Sequence, residues 1–139
     1  MIVYKPDRFL TANFQMQEFL VSASHPEMVS GIELLEEEIQ NYLWLCSFCL
    51  QPVRDKFGPV TITSGYRPKI LNLAIGGIVN SQHMDGEAAD FQCKDMHEAY
   101  EYIVNGLDWP GQIFLFEKKK YIHLALPRVG WDRKHKIVT

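Results

Sequence analysis

Two histidines and one aspartate from separate segments of the chain place the strongest constraint on how it can fold. His83 and Asp90 lie seven residues apart in a segment that includes the small residues Gly86, Ala88 and Ala89, and His123 lies in a later apolar stretch, residues 121–126. Neutral imidazole and carboxylate groups are both ligands that zinc accepts. The small residues between the first two candidates let the backbone bend tightly and leave room around an ion. The sequence therefore predicts a fold in which these three side chains bind one Zn²⁺ ion.

Three protein ligands would leave one position of a tetrahedral zinc ion open, and an open position distinguishes catalytic zinc sites from structural ones. The alternative is that each residue has an ordinary role, because a single histidine on a strand usually belongs to the core or the surface. Asp90 alone could cap a turn, and His25, His97 and His135 are expected to be ordinary residues. A fourth protein ligand would indicate a closed site that serves stability only.

The length and composition of the chain predict a single globular domain spanning residues 1–139, large enough to bury a core. Hydrophobic residues make up 47% of the chain and charged residues 22%, which is ordinary for a soluble protein. The net charge of −3 gives no electrostatic signature of nucleic-acid binding. No apolar run is long enough to cross a bilayer, so no membrane anchor is expected.

Signals for targeting and for redox chemistry are weak. The N-terminal residues lack the basic-then-apolar pattern of a signal peptide, which predicts a protein made in the cytoplasm. Cys46 and Cys49 form a Cys-x-x-Cys inside a helical apolar run, and without a second pair they are interpreted as buried core thiols. Cys93 stands alone, so no disulfide is expected.

The periodicity of the apolar residues predicts both helices and strands. Apolar positions recur at helical spacing from about Ile32 to Phe57, and Pro52 is expected to break or kink this helix. Residues 131–139 form a polar tail that is expected to be loosely held. The other predicted elements are strands at 60–63 and 89–93, a short helix at 68–75, a helix from a cap at Asp95 to about Asn105 with Gly106 as its C-terminal cap, and a hairpin of 112–116 and 121–126.

Several ordered motifs surround the three candidate ligands. They are Ser64-Gly65-Tyr66-Arg67, Leu71-Asn72, Gly76-Gly77, the segment from Asn80 to Asp90, and Tyr121-Ile122-His123. In this order they closely resemble the zinc D-Ala-D-Ala carboxypeptidase family, which shares its fold with the Hedgehog signalling domain and includes bacterial cell-wall carboxypeptidases and phage endolysins. The resemblance covers most of the chain from about Phe14. It implies an α+β fold of the Hedgehog/DD-peptidase type, with a small antiparallel sheet and helices packed on one side.

The resemblance also implies roles for individual residues, and it assigns the three candidate ligands to a zinc ion. Arg67 matches the arginine of the family's Ser-Gly-Tyr-Arg motif, which implies substrate binding and a catalytic role in stabilising the transition state. Ser81 and Gln82, which directly precede the first ligand, are assigned to substrate binding together with Arg67. The alternative for Arg67 is a surface or structural arginine that forms ion pairs, since arginine serves both uses.

The general base is the least defined part of the resemblance, because Lys120 and Ala125 stand where relatives carry an acid. Glu117, the first acid after the preceding strand, is the candidate. A two-residue loop at 118–119 would place Glu117 on the face opposite His123, whereas a three-residue loop at 118–120 would place both on one face. The alternative is a solvated turn residue beside three lysines.

The activity implied by the resemblance is that of a zinc-dependent carboxypeptidase or endopeptidase that cleaves peptidoglycan stem peptides at a bond involving a D-amino acid. The small size, with no signal peptide and no anchor, favours a phage-type lysis enzyme. Such an enzyme is made in the host cytoplasm and acts at the bacterial cell wall after another factor releases it. The missing acid near His123 leaves a second hypothesis open, a zinc-binding homologue without turnover that acts as a binding or virion structural module.

Overall fold

A five-stranded sheet organises the protein in the computed structural model, which describes residues 5–130 and 133–139. The strand order is β3-β4-β6-β5-β7, and every neighbouring pair is antiparallel except β5 and β7, which are parallel. A separate two-stranded ribbon joins β1 to β2 near the N-terminus. The strands are β1 Phe9–Thr11, β2 Phe14–Gln15, β3 Val60–Ser64, β4 Ala88–Cys93, β5 Ile113–Phe116, β6 Tyr121–Ala125 and β7 His135–Val138.

The two faces of this sheet have different roles because successive side chains of a strand point to opposite sides. One face is buried in the hydrophobic core, together with side chains from the main helices. The other face carries Asp90 on β4 and His123 on β6, and it is called the metal face below. The residues that the sheet contributes to the core include Ile62, Phe91, Ile113, Leu115, Ile122 and Leu124. The expected small, mainly antiparallel sheet with helices packed on one side is confirmed.

The longest helical segment runs from Glu36 to Phe57 as α1 Glu36–Leu45, a π-helical turn Cys46–Leu50 and α2 Gln51–Phe57. Of the break or kink expected at Pro52, a break does not occur, and a π-helical turn, one of the usual causes of a kink, ends two residues before it. Pro52 is the second residue of α2, and the wider hydrogen-bond pattern of the π-helical turn lets the helical segment continue past the missing amide. Cys46 and Cys49 are fully buried and unpaired, which confirms them as core thiols.

Two shorter α-helices follow, α3 Lys69–Ala74 and α4 Met96–Glu101. The second continues as a π-helical turn, Tyr102–Gly106. Asp95 occupies the N-cap position of α4 as predicted, but its side chain forms no capping hydrogen bond and its backbone is left-handed. Gly106 lies inside the final turn and does not form a left-handed cap. Among the described residues, no helix combines the length and apolarity that crossing a bilayer requires.

The C-terminal tail corrects another expectation, because it is not a loose polar extension. Residues His135–Val138 form β7, which pairs in parallel with β5 and becomes an edge of the sheet. None of its four side chains is fully buried, which suits a strand at the edge of the sheet. Trp131 and Asp132, which also belong to the predicted tail, lie outside the described residues.

Candidate metal centre

The pairing of β4 with β6 brings two of the candidate ligands together from positions far apart in the chain. Asp90 is the register partner of His123, and the two side chains share the metal face. Oδ1 of Asp90 lies 2.8 Å from Nδ1 of His123 and 3.2 Å from Nε2 of His83. His83 enters from a short 3-10 turn, Gln82–Asp85, that precedes β4. The predicted convergence of the three side chains is therefore present.

The spacing of the three donor atoms fits one zinc ion. The two imidazole nitrogens and the carboxylate oxygen all lie within 4.8 Å of one another. Ligands about 2.0–2.2 Å from a tetrahedral zinc stand roughly 3.3 Å apart, so only small shifts would place all three around an ion. No other histidine, cysteine, aspartate or glutamate among residues 5–130 and 133–139 joins these three side chains as a fourth ligand. The donor set therefore matches an open rather than a closed zinc site.

The family comparison agrees with this geometry. The family described as Peptidase M15 matches residues 12–125, most of the chain and all three ligands. The chain belongs to the Peptidase M15 family. This is the zinc D-Ala-D-Ala carboxypeptidase family, whose members are zinc metallopeptidases. No curated protein gives a significant match to the chain.

The backbone of the M15 motif Ser64-Gly65-Tyr66-Arg67 orients the first ligand. Nδ1 of His83 lies 2.8 Å from the carbonyl oxygen of Gly65, and it donates its proton to that oxygen if Nε2 is to bind the metal. Such hydrogen bonds fix the tautomer and the ring orientation of metal-binding histidines. A side chain at Gly65 would meet the carbonyl oxygen of Phe19 at 2.3 Å, so only glycine fits there. Gly65 therefore orients His83 through its carbonyl oxygen, and the absence of a side chain lets its backbone take the position that this contact needs.

Opposing effects set the charge of the third ligand, Asp90. Burial disfavours its ionised form, but the charges of His83 and His123 and the hydrogen bonds from both imidazoles outweigh burial. Together they hold the pKa of Asp90 well below its ordinary value. Asp90 is therefore ionised at neutral pH, which is the state that binds a metal.

Arg67 lies beside the metal centre, at the end of the turn that follows β3. Nη1 of its guanidinium donates to Oδ1 of Asn72 at 3.1 Å, and the side chain of Asn72 donates in turn to the carbonyl oxygen of Ile78. A side chain at Gly77 would approach Oδ1 of Asn72 to 2.0 Å, which explains the small residue there. Burial lowers the pKa of Arg67, while the nearby charge of Asp90 acts in the opposite direction. The guanidinium of Arg67 is thus positioned by its hydrogen bond to Asn72, close enough to Asp90 for their charges to interact.

Ser81 and Gln82, which were predicted to bind substrate, lie in the interior beside the first ligand. Both are buried, with 5% and 4% of their surfaces exposed. Oγ of Ser81 accepts a hydrogen bond from the backbone amide of His83, and Nε2 of Gln82 donates to the carbonyl oxygen of Leu126 at 2.8 Å. These hydrogen bonds within the protein support the turn that carries His83, and substrate binding by the two residues stays a prediction.

Glu117 is not brought to the three ligands. The hairpin loop contains four residues, 117–120, because Phe116 pairs with Tyr121, so neither of the two predicted loops occurs. Oε2 of Glu117 lies 2.6 Å from Nε2 of His97, a residue of α4, and α4 packs on the core side of the sheet. The carboxylate of Glu117 therefore contacts α4 and not the metal ligands, and this position does not support a role as general base.

We accordingly expect that Glu117→Gln leaves kcat/KM of this M15 protein within about twofold of wild type. The substitution removes a charge that contacts His97 at the partly exposed edge of α4, away from the metal face. A positioned general base contributes about 10²- to 10⁴-fold, so steady-state kinetics on one peptide substrate separates the two cases. A loss of a hundredfold or more in a folded, zinc-loaded variant would assign Glu117 to the reaction.

Sequence reasoning missed two neighbours of the metal centre on the hairpin. Phe114 stacks on His123, with ring centroids 5.7 Å apart, and is its register partner on β5. Tyr121 shares the face of His123, and its pKa is raised by burial and by the charge of Asp90. The two-residue spacing of Tyr121 from His123 in a strand was the available signal, because such residues share a face.

Proposed function

We propose that this chain is a single-domain zinc peptidase that cleaves peptidoglycan stem peptides, at a bond involving a D-amino acid, as a carboxypeptidase or endopeptidase. The same proposal includes a phage-type role in lysis, with action at the bacterial cell wall after release from the host cytoplasm. Membership of the M15 family supports the peptidase class. The order of motifs around the ligands supports the choice of substrate.

The observation that carries the proposal is the convergence of His83, Asp90 and His123 with a donor set that is incomplete for a closed zinc site. When bound, zinc supplies a Lewis acid that polarises a carbonyl group and lowers the pKa of a bound water toward about 7. Two imidazoles and one carboxylate leave one unit of positive charge on the divalent ion. This charge suits activation of a neutral peptide bond.

The remaining chemistry in the proposal falls to residues around the metal face. Arg67 is held by Asn72 within electrostatic range of Asp90, and its charge would stabilise the oxygen anion that develops as the peptide carbonyl is attacked. The contact of Nδ1 of His83 with the carbonyl oxygen of Gly65 would orient the ring so that Nε2 could hold the ion. The phenol of Tyr121 lies on the same face and is a hydrogen-bond donor available to a bound peptide.

The proposal is tested by incubating the purified protein with peptidoglycan, with and without a chelator. We expect zinc-dependent release of new amino groups, loss of release to background after chelation, and recovery when zinc is restored. Mass spectrometry of the released fragments identifies the bond that is cut. Release that continues unchanged in the metal-free protein would reject a zinc peptidase.

A second candidate function is a zinc-binding homologue without turnover that serves as a binding or virion structural module. The observation that favours it is that three acids close in sequence to the ligands form ion pairs with other residues. Glu117 contacts His97, while Asp85 and Glu87 form ion pairs with Arg128. Tight zinc binding combined with no amino-group release, and with the same background in Glu117→Gln, would identify this function.

A further inference from the structure

The metal centre continues across the sheet as one row of register partners. Asp90 pairs with His123, His123 pairs with Phe114, and Phe114 pairs with Lys136 on β7. Partners in register project to the same face of a sheet, so this row runs along the metal face from β4 to the edge strand. The metal ligands thus lie at one end of the row, and the ammonium group of Lys136 lies at the other.

Phe114 lies between these ends, and Phe116 and Tyr121 lie beside it as the next pair of register partners on the same face. The three rings together are called the aromatic shelf. The ring of Phe114 lies 6.3 Å from that of Phe116, and Phe116 stacks on Tyr121 at 4.7 Å. All three rings are partly exposed, whereas the alternate residues of β5 and β6 are buried in the core. The shelf therefore offers apolar contact area directly beside the metal ligand His123.

Lys136 gives the far end of the shelf a definite charge. Its side chain is exposed, and it forms no ion pair with residues 5–130 or 133–139. Two strand spacings of about 4.8 Å separate β6 from β7, which places Lys136 roughly 10 Å from His123. An extended peptide covers that distance in about three residues.

We propose that the aromatic shelf and Lys136 form a substrate subsite for a peptide with a carboxylate about three residues from the bond that is cut. The hydrocarbon part of the peptide would lie over the rings of Phe114 and Phe116, and the carboxylate would pair with Lys136. Charge complementarity favours an anionic peptide over a neutral or cationic one. This inference rests on the proposed peptidase function, because it takes the metal centre as the point of cleavage.

The test uses fluorescein-labelled synthetic stem peptides and the zinc-loaded full chain. In each pair, one peptide carries a free carboxylate at a given position and the other carries the carboxamide; the position is moved one residue at a time. Dissociation constants are measured by fluorescence polarisation, and kcat/KM is measured on the same peptides. Lys136→Ala is compared with wild type, and Lys94→Ala, at an exposed lysine just after β4, is the matched control.

We expect wild type to bind the carboxylate form about fivefold more tightly than the carboxamide, with the greatest preference near the third residue, since a partly solvated ion pair contributes on this scale. Lys136→Ala should abolish the preference, and Lys94→Ala should retain it. An equal affinity of wild type for both forms, or a preference that survives Lys136→Ala, overturns the subsite.

The polarisation measurement distinguishes this inference from the proposed function. Binding with a preference that depends on Lys136 but without hydrolysis would support the subsite and reject the peptidase activity. Hydrolysis without any preference would support the activity and overturn the subsite. An absence of binding to every peptide in the series would also overturn it.

Discussion

Asp90→Ala is expected to abolish zinc binding and to lower peptide hydrolysis by at least about a thousandfold. One oxygen of Asp90 lies within hydrogen-bonding distance of a nitrogen of each of the two other ligands, so its removal leaves two imidazoles with no charge between them. The contribution of a metal ion to the transition state is worth several kcal/mol, and about 1.4 kcal/mol corresponds to tenfold in rate. Zinc content is measured by atomic emission after dialysis, and hydrolysis by amino-group release.

Two further variants separate charge from shape in this experiment. Asp90→Asn keeps the size of the side chain but removes its negative charge, so we expect it to lose most of the zinc affinity as well. Asp55→Ala removes an exposed carboxylate on α2 and should leave zinc content and hydrolysis unchanged. Full zinc content in folded Asp90→Ala would show that the metal is held by other residues.

The second large effect is expected from Gly65→Ala, which should lower the free energy of unfolding by about 3 kcal/mol or more. The added methyl group would stand 2.3 Å from the carbonyl oxygen of Phe19, and backbone atoms cannot move aside as a flexible side chain can. The required shift would also disturb the contact from His83 to the carbonyl of Gly65. Because losing such a supporting contact costs about 10- to 100-fold, zinc affinity should fall with stability.

Gly31→Ala is the matched control for this substitution. Gly31 has a left-handed φ of 77°, but nothing lies within 4 Å of an added methyl group. The control should therefore cost only about 1–2 kcal/mol for the backbone conformation, with no change in zinc affinity. Urea unfolding gives the stabilities, and competition with a fluorescent chelator gives the affinities. Equal effects of the two substitutions on zinc affinity would contradict the supporting role of Gly65.

Much of the fold was predictable because its signals are local. Strand β3, helix α3 and the hairpin of β5 and β6 lie where the alternation of apolar residues and the Pro and Gly positions predict them. A break at Pro52, one of the two effects predicted for it, does not occur, because the π-helical turn just before the proline lets the helical segment continue. Strand β7 was missed because its partner β5 lies about twenty residues earlier, and a parallel edge pairing leaves little local pattern.

The chemistry that this protein can offer could be predicted from residue types and their order: the three donor side chains, the motifs around them and the family to which the chain belongs. Those features depend on residue identity and spacing along the chain. Which of these groups come into contact depends on the packing of the folded chain. It brought His83, Asp90 and His123 together, directed Glu117 to His97, and placed Lys136 in the row of the metal ligands. These outcomes follow from strand register and loop length, where a shift of one residue reverses the face that a side chain occupies.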